Sequence, residues 1–187
     1  MDDKEFQQLT KKYSPLVKWI IESNQIYTGV DRTIRWQFSW DNNHSITAAV
    51  NRQTDLLEIN IVFIDQAYQN NRLYEIEYFM LHEMRHIYQH SQIKLLDSEE
   101  CAVDSALAKR WAREGENYIT AVDKDGNENI GYYKQDCELD AYAFSFAVMS
   151  AKYKGIYDKF PLVPEVYKRE LKEEYDSAVK EFLEWLK

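Results

Sequence analysis

Three of the four histidines in this chain lie close together, at positions 82, 86 and 90. The first two belong to the pattern H-E-x-x-H, which is formed by His82, Glu83 and His86. Residues four apart lie one above the other on the same face of an α-helix, so both imidazoles can point at one cation. Glu83 lies about 100° around the helix from His82, beside the open side of that cation. The spacing therefore predicts a helix that carries a metal site.

The helix around the motif is apolar on most of its faces, which predicts that it is buried. A buried helix that carried two histidines and a glutamate without a metal would leave polar groups in need of partners. We therefore favour a metal site over a pair of surface histidines. Zinc suits neutral imidazole ligands, and a catalytic zinc site has three protein ligands with water in the fourth position. The apolar residues are Phe79, Met80, Leu81, Met84, Ile87 and Tyr88.

The third protein ligand has to come from outside the H-E-x-x-H pattern. His90 continues the spacing of the two histidines, but its Cα lies about 12 Å from that of His82 along the helix, too far to share one metal. A metzincin would need glycine at position 89 and histidine at position 92, and this chain has Gln89 and Gln92. A di-iron helix bundle would need a second Glu-x-x-His segment, which the sequence lacks. These exclusions leave a carboxylate on another helix.

Three carboxylates lie close together in a later segment, at Asp136, Glu138 and Asp140. On an ideal helix Asp136 lies about 160° from Glu138, and Asp140 lies about 200° from it. Neither aspartate can therefore face the metal together with Glu138 from a straight helix. The geometry by itself leaves all three open as the third ligand.

The two motifs together carry a resemblance to a known family. H-E-x-x-H at positions 82–86, followed by E-x-x-A-x-x-F at positions 138–144, resembles the gluzincin metallopeptidases. That class includes the CAAX-processing and heat-shock membrane proteases and the soluble prophage-type proteases. In register, Glu138 matches the zinc-binding glutamate of the family, Ala141 its alanine and Phe144 its aromatic residue. The resemblance covers these two helices and is nearest to the small soluble phage and prophage branch.

The resemblance implies a hydrolase, a zinc-dependent metalloprotease that cleaves peptide bonds in a peptide or protein substrate. His82, His86 and Glu138 would bind Zn²⁺, and Glu83 would act as general base towards a zinc-activated water. A developing oxyanion would need a further donor. Candidates for that donor are Tyr132, Tyr133 and Tyr142.

One position departs from the family pattern. The family usually has Asp or Asn where this chain has Tyr142, and that residue orients a zinc-bound histidine. Asp136 or Asp140 would have to take over this role. The alternative function is a non-catalytic, phage-type interaction protein that keeps a structural or vestigial zinc site in a zincin fold. The presence of Glu83 argues against it, because a purely structural site has no use for a base beside the metal.

Hydrophobic periodicity predicts an α+β fold. Together with the resemblance, this implies a minimal zincin-like domain, in which a short antiparallel sheet of about three strands packs against the motif helix and further helices. The third strand would be the edge that binds a substrate strand. No repeat or linker interrupts the chain, so residues 1–187 are expected to form a single domain. The expected helices are 4–23, 71–94, 97 or 98 to 113, 135–153 and 165–186, and the expected strands are 33–40, 45–50 and 56–64.

The net charge of −9 argues against nucleic acid and against an anionic membrane as partners. The N-terminal residues lack the pattern of a signal peptide, and no apolar run is long enough to cross a bilayer. Cys101 and Cys137 have no framework spacing, which is typical of free thiols in a reducing compartment. We therefore expect a cytoplasmic protein without a membrane partner. The sequence leaves the oligomeric state open.

Overall fold

The computed structural model describes residues 1–40, 47–122, 124–153 and 163–187. Within these residues the fold is α+β, as predicted, with eight helices and a three-stranded sheet. Two compact units are formed by Met1–Tyr88 and Gln89–Lys187. None of the helices in the described ranges combines the length and the apolar character that are needed to span a membrane. In chain order the elements are α1 (Asp3–Thr28), β1 (Arg35–Ser39), β2 (Ala48–Asn51), β3 (Leu56–Asn60), α2 (Ile61–Gln69), α3 (Leu73–Lys94), α4 (Ser105–Glu116), α5 (Ile130–Tyr133), α6 (Asp136–Lys152), α7 (Glu165–Arg169) and α8 (Lys172–Trp185).

Helix α1 is longer than the pattern of apolar residues predicts and continues past Pro15. It begins after Asp2, whose carboxylate accepts a hydrogen bond from the backbone N–H of Glu5 at 2.8 Å. It ends at Gly29, which has a left-handed φ of 71°. A Cβ at this position would also lie 2.9 Å from the ring of Tyr88. Both the backbone conformation and the close ring therefore require glycine here.

The sheet is mixed, so the predicted antiparallel meander is wrong. The strand order is β1-β3-β2, with β1 parallel to β3 and β2 antiparallel to it. Alternating apolar residues indicate a strand, but they do not specify which strand it pairs with. Residues 41–46, which include the first two residues of the predicted second strand, lie outside the described residues.

The predicted third strand is also wrong in its length and in its role as the edge strand. Strand β3 ends at Asn60, whose side chain accepts a hydrogen bond from the backbone N–H of Val62 at 3.1 Å. This cap starts helix α2, so residues 61–64 are helical instead of extended. Because β3 pairs on both of its sides, it is the central strand of the three.

A single apolar cluster forms the core of the first unit. It combines residues of α1, β3, α2 and the first part of α3. Polar contacts also join α1 to other helices of this unit. Asn24 donates to Glu77 at 2.8 Å, and the hydroxyl of Tyr13 donates to Asp65 at 2.5 Å. Representative core residues are Val17, Ile20, Leu57, Ile59, Ile61, Ile64, Ile76, Met80, Met84 and Ile87.

The second unit contains the helices from α4 onwards. Helix α4 begins later than predicted, because Asp104 caps it by accepting from the backbone N–H of Ala106 at 2.8 Å. Helix α6 follows the prediction closely. The predicted last helix is divided into α7 and α8. Between α4 and α5 an isolated antiparallel bridge joins Val122 to Glu128.

Candidate metal centre

The two motif histidines lie together on helix α3, as their spacing predicts. The Nε2 atoms of His82 and His86 are 3.0 Å apart. The two rings are nearly perpendicular, with an interplanar angle of 88°. His82 is only 3% exposed, whereas His86 is half-buried. The helix thus presents two imidazole nitrogens side by side, which is the first requirement of a zinc site.

Helix α3 is buried on most sides, as its apolar pattern predicts. Tyr78, Met80, Met84 and Ile87 are each almost completely buried. The guanidinium of the buried Arg85 lies over the ring of Tyr88, 4.3 Å from its centroid. The polar residues of the motif therefore lie on a helix whose apolar side chains are buried.

Glu83, the predicted base, is half-buried on the same helix. It follows His82 directly in the sequence, so the helical turn of about 100° per residue separates their directions. His90 is half-buried one turn beyond His86. The roles assigned to Glu83 and His90 are predictions.

Glu138, the predicted third ligand, lies in the first turn of α6 and is completely buried. The hydroxyl of Tyr118 donates to Glu138 Oε1 at 2.6 Å. A buried carboxylate is unfavourable unless cations or hydrogen-bond donors compensate its charge. The surroundings of Glu138 therefore suit a residue that binds a cation.

The two alternative aspartates have other partners within the second unit. Asp136 forms an ion pair with Arg110, and Asp140 accepts from Gln89 Nε2 at 2.7 Å. Both aspartates are half-buried, in contrast to Glu138. These contacts favour Glu138 as the ligand, although the choice among the three stays a prediction.

The start of α6 is fixed by a side chain from α4. Gln135 occupies the N-cap position without capping the helix through its side chain. Instead, Glu114 accepts from the backbone N–H of Asp136 at 2.7 Å and from that of Cys137 at 3.0 Å. A carboxylate at this end of a helix also interacts favourably with the helix dipole. Glu114 thus helps to define where the first turn of α6, and with it Glu138, is located.

Tyrosine rings pack together near Glu138 in the second unit. Tyr142 has its ring centroid 6.1 Å from that of Tyr133 and 5.4 Å from that of Tyr167. Burial, followed by the charge of Glu138, raises the pKa of Tyr132 and of Tyr167 above the ordinary value for tyrosine. Burial also raises the pKa of Tyr133 to about 12, with Glu128 contributing. These hydroxyls therefore remain protonated at neutral pH and keep their capacity to donate.

The raised tyrosine pKa values predict a loss of stability at alkaline pH. Below the unfolded-state pKa of about 10, Tyr133 is protonated in both states, and its contribution to stability is fully present. As the pH rises from there through its folded-state pKa of about 12, the unfolded state loses the proton first and stability falls. We expect the last part of the rise in tyrosinate absorbance, which comes from the buried tyrosines, to accompany the loss of helical circular dichroism. Complete tyrosine ionisation near pH 10 with unchanged dichroism would contradict this expectation.

Sequence reasoning did not identify Tyr118 or Glu114 as residues of this region. Tyr118 contacts a residue 20 positions away, and Glu114 contacts residues 22 and 23 positions away. No local pattern marks such contacts, because they depend on the tertiary structure.

No protein-family model matches this chain, and the comparisons with curated proteins and with solved structures found no match either.

Proposed function

We propose that this protein is a zinc-dependent metallopeptidase with a minimal zincin-like fold. The observation that carries the proposal is the pair of imidazole nitrogens, 3.0 Å apart on a buried helix, with Glu83 next to one of them in the sequence. Neutral imidazole is a ligand that zinc prefers. A glutamate beside the metal is the arrangement expected of a general base.

Glu138 completes the proposed ligand set. Helix α3 continues from the histidines to Gln89, one turn beyond His86. Gln89 donates at 2.9 Å to the carbonyl oxygen of Cys137, the residue that directly precedes Glu138. In this proposal Glu138 is the third protein ligand, beside His82 and His86. Two imidazoles and a carboxylate are a known ligand set of catalytic zinc, with one position left for water.

The protein's own residues divide the chemistry between binding and proton transfer. A bound zinc ion would lower the pKa of a coordinated water towards about 7 and would polarise a scissile carbonyl. Glu83 would accept the proton of the attacking water and later deliver it to the leaving amine. His82, His86 and Glu138 would hold the metal beside Glu83.

The mixed sheet changes where a peptide substrate would bind. In the proposed mechanism an extended peptide adds to the edge of the sheet through its backbone hydrogen bonds. The central β3 is paired on both sides, so the described edges are those of β1 and β2. A peptide or protein substrate, a cytoplasmic location and a single functional domain of residues 1–187 are parts of this proposal.

Metal analysis of the purified protein is the experiment that tests the proposal. We expect about one zinc ion per chain, because the three side chains and a water complete a catalytic site. The measurement is the zinc content after gel filtration in metal-free buffer, followed by titration of the apoprotein. A protein that contains no zinc and binds none on titration would refute the proposed function.

The choice of Glu138 over its neighbours has a separate test. Glu138→Ala is expected to weaken zinc binding strongly, because it removes one of the three protein ligands. Asp136→Ala and Asp140→Ala serve as controls on the same helix, since their carboxylates contact Arg110 and Gln89. Zinc affinity is measured by competition with a chromophoric chelator. Retention of zinc by Glu138→Ala, with loss in either aspartate variant, would move the third ligand.

A further inference from the structure

The segment after α4 brings an exposed residue to a buried carboxylate. Tyr118 is 40% exposed, whereas Glu138 is 0% exposed. The hydroxyl of Tyr118 nevertheless donates to Glu138 Oε1 at 2.6 Å. The ring of Tyr118 also packs edge-on against Tyr132, with their centroids 6.2 Å apart. Tyr118, two residues after the end of α4, therefore makes a specific contact with the proposed zinc ligand.

The backbone beside Tyr118 is fixed by a buried side-chain amide. Gln135, which is 5% exposed, accepts from the backbone N–H of Ile119 at 3.0 Å. It also donates to the carbonyl oxygen of Ile119 at 3.0 Å. Paired bonds of this kind resemble the exchange between neighbouring strands and leave the segment little freedom. Because Gln135 immediately precedes α6, the segment and the helix of Glu138 are joined at one place.

The hydrogen bond from Tyr118 restricts the motion that matters most for a carboxylate ligand. The last torsion of a glutamate side chain has a broad energy profile, so its carboxylate group rotates easily. A donor on one carboxylate oxygen selects one orientation of the group. Hydrogen bonds to metal-binding side chains act in this way, and their loss typically reduces metal affinity by about 10- to 100-fold.

We propose that Tyr118 is a positioning residue for zinc, which acts by holding the carboxylate of Glu138 in its binding orientation. The inference rests on the proposed function, because it requires Glu138 to bind the metal. Tyr118 acts through Glu138, and Gln135 acts one step further away by holding the backbone of the next residue. Zinc affinity is therefore controlled in part by a segment that contains none of the zinc ligands.

The test compares two tyrosine-to-phenylalanine variants of the full chain. Tyr118→Phe removes only the hydroxyl that reaches Glu138. Tyr167→Phe is the matched control, because its hydroxyl donates to the backbone carbonyl of Tyr133 at 2.9 Å instead. Zinc dissociation constants are measured by chelator competition. The visible absorption spectrum of the cobalt-substituted proteins reports the ligand geometry independently of activity.

We expect Tyr118→Phe to bind zinc about 10- to 100-fold more weakly than the wild type, with an altered cobalt spectrum. Tyr167→Phe should keep the wild-type affinity and spectrum. Unchanged affinity and spectrum in Tyr118→Phe would overturn the inference and leave the proposed function standing. Equal losses in both variants would also overturn it, because they would indicate general destabilisation. A wild-type protein that binds no zinc would instead refute the proposed function itself.

A second variant tests the same inference without changing the ring. Gln135→Met has nearly the same size but lacks the amide that holds Ile119 from both sides. We expect weaker zinc binding again, and thermal melting of the apoprotein shows whether the variant is folded. A folded Gln135→Met protein with wild-type zinc affinity would contradict the role of the segment in positioning Glu138. If Tyr118→Phe does not fold, this variant decides the question.

Discussion

Replacing either His82 or His86 with alanine is expected to abolish stoichiometric zinc binding. Each variant would leave two of the three proposed protein ligands, and a catalytic zinc site depends on three. The measurement is the zinc content of each purified variant, supported by calorimetric titration of the apoprotein. Any zinc-dependent hydrolysis should disappear with the metal.

His90→Ala is the matched control for these two variants. His90 is on the same helix, but the axial distance of about 12 Å from His82 excludes it from a shared metal. It should therefore keep the wild-type zinc content. Circular dichroism separates loss of metal from loss of fold. Full zinc occupancy in a folded His82→Ala or His86→Ala protein would remove that histidine from the ligand set.

Glu83→Gln is expected to reduce hydrolysis by about 100-fold or more while zinc remains bound. Glutamine has nearly the same size and hydrogen-bonding reach as glutamate, but it does not accept the proton of the attacking water. The general base is needed in the transition state and does not hold the metal. Hydrolysis is measured as new peptide termini that appear when the protein is incubated with cell extract.

The control for this variant is Glu75→Gln, the same change on the same helix. Glu75 is half-buried and paired with Arg72 at 3.0 Å, two turns before the motif. It should leave both zinc binding and hydrolysis unchanged. Equal rates for wild type and Glu83→Gln, with the same termini, would show that Glu83 is not the base. An absence of termini in any sample would favour the interaction-protein alternative.

The fold was predictable where the signal is local. Helices α3 and α6 have apolar residues on most faces over several turns, and their predicted limits agree closely with the observed ones. The predicted pairing of the strands was wrong, because strand pairing depends on contacts between residues that are distant in the sequence. Helix α2 was missed because residues 61–64, Ile-Val-Phe-Ile, have the composition of a strand. The cap supplied by Asn60 decides the structure there.

The candidate site follows the same division between local and distant information. The spacing of His82 and His86 is a property of one helix, so the sequence alone predicts that their nitrogens come together. The surroundings of Glu138 are built by residues from separate segments, among them Tyr118 and Glu114. These residues are separated from their contacts by 20 or more positions in the sequence, far more than the period of a helix or a strand. Such contacts need the tertiary structure.

Helices α4 and α6 are joined at one end by two charged side chains, with consequences for how the chain can vary in length. Arg110 binds Asp136, and Glu114, one turn later on α4, binds the first backbone amides of α6. The chain between α4 and α6 therefore forms a loop. It starts at the end of α4, and its other end is held by the contacts of Arg110 and Glu114 with the start of α6. Lengthening such a loop adds little entropy loss, since the loss grows only with the logarithm of its length. Proteins descended from a common ancestor with this chain could gain or lose residues around Gly126 while keeping a basic residue at 110 and an acidic residue at 114.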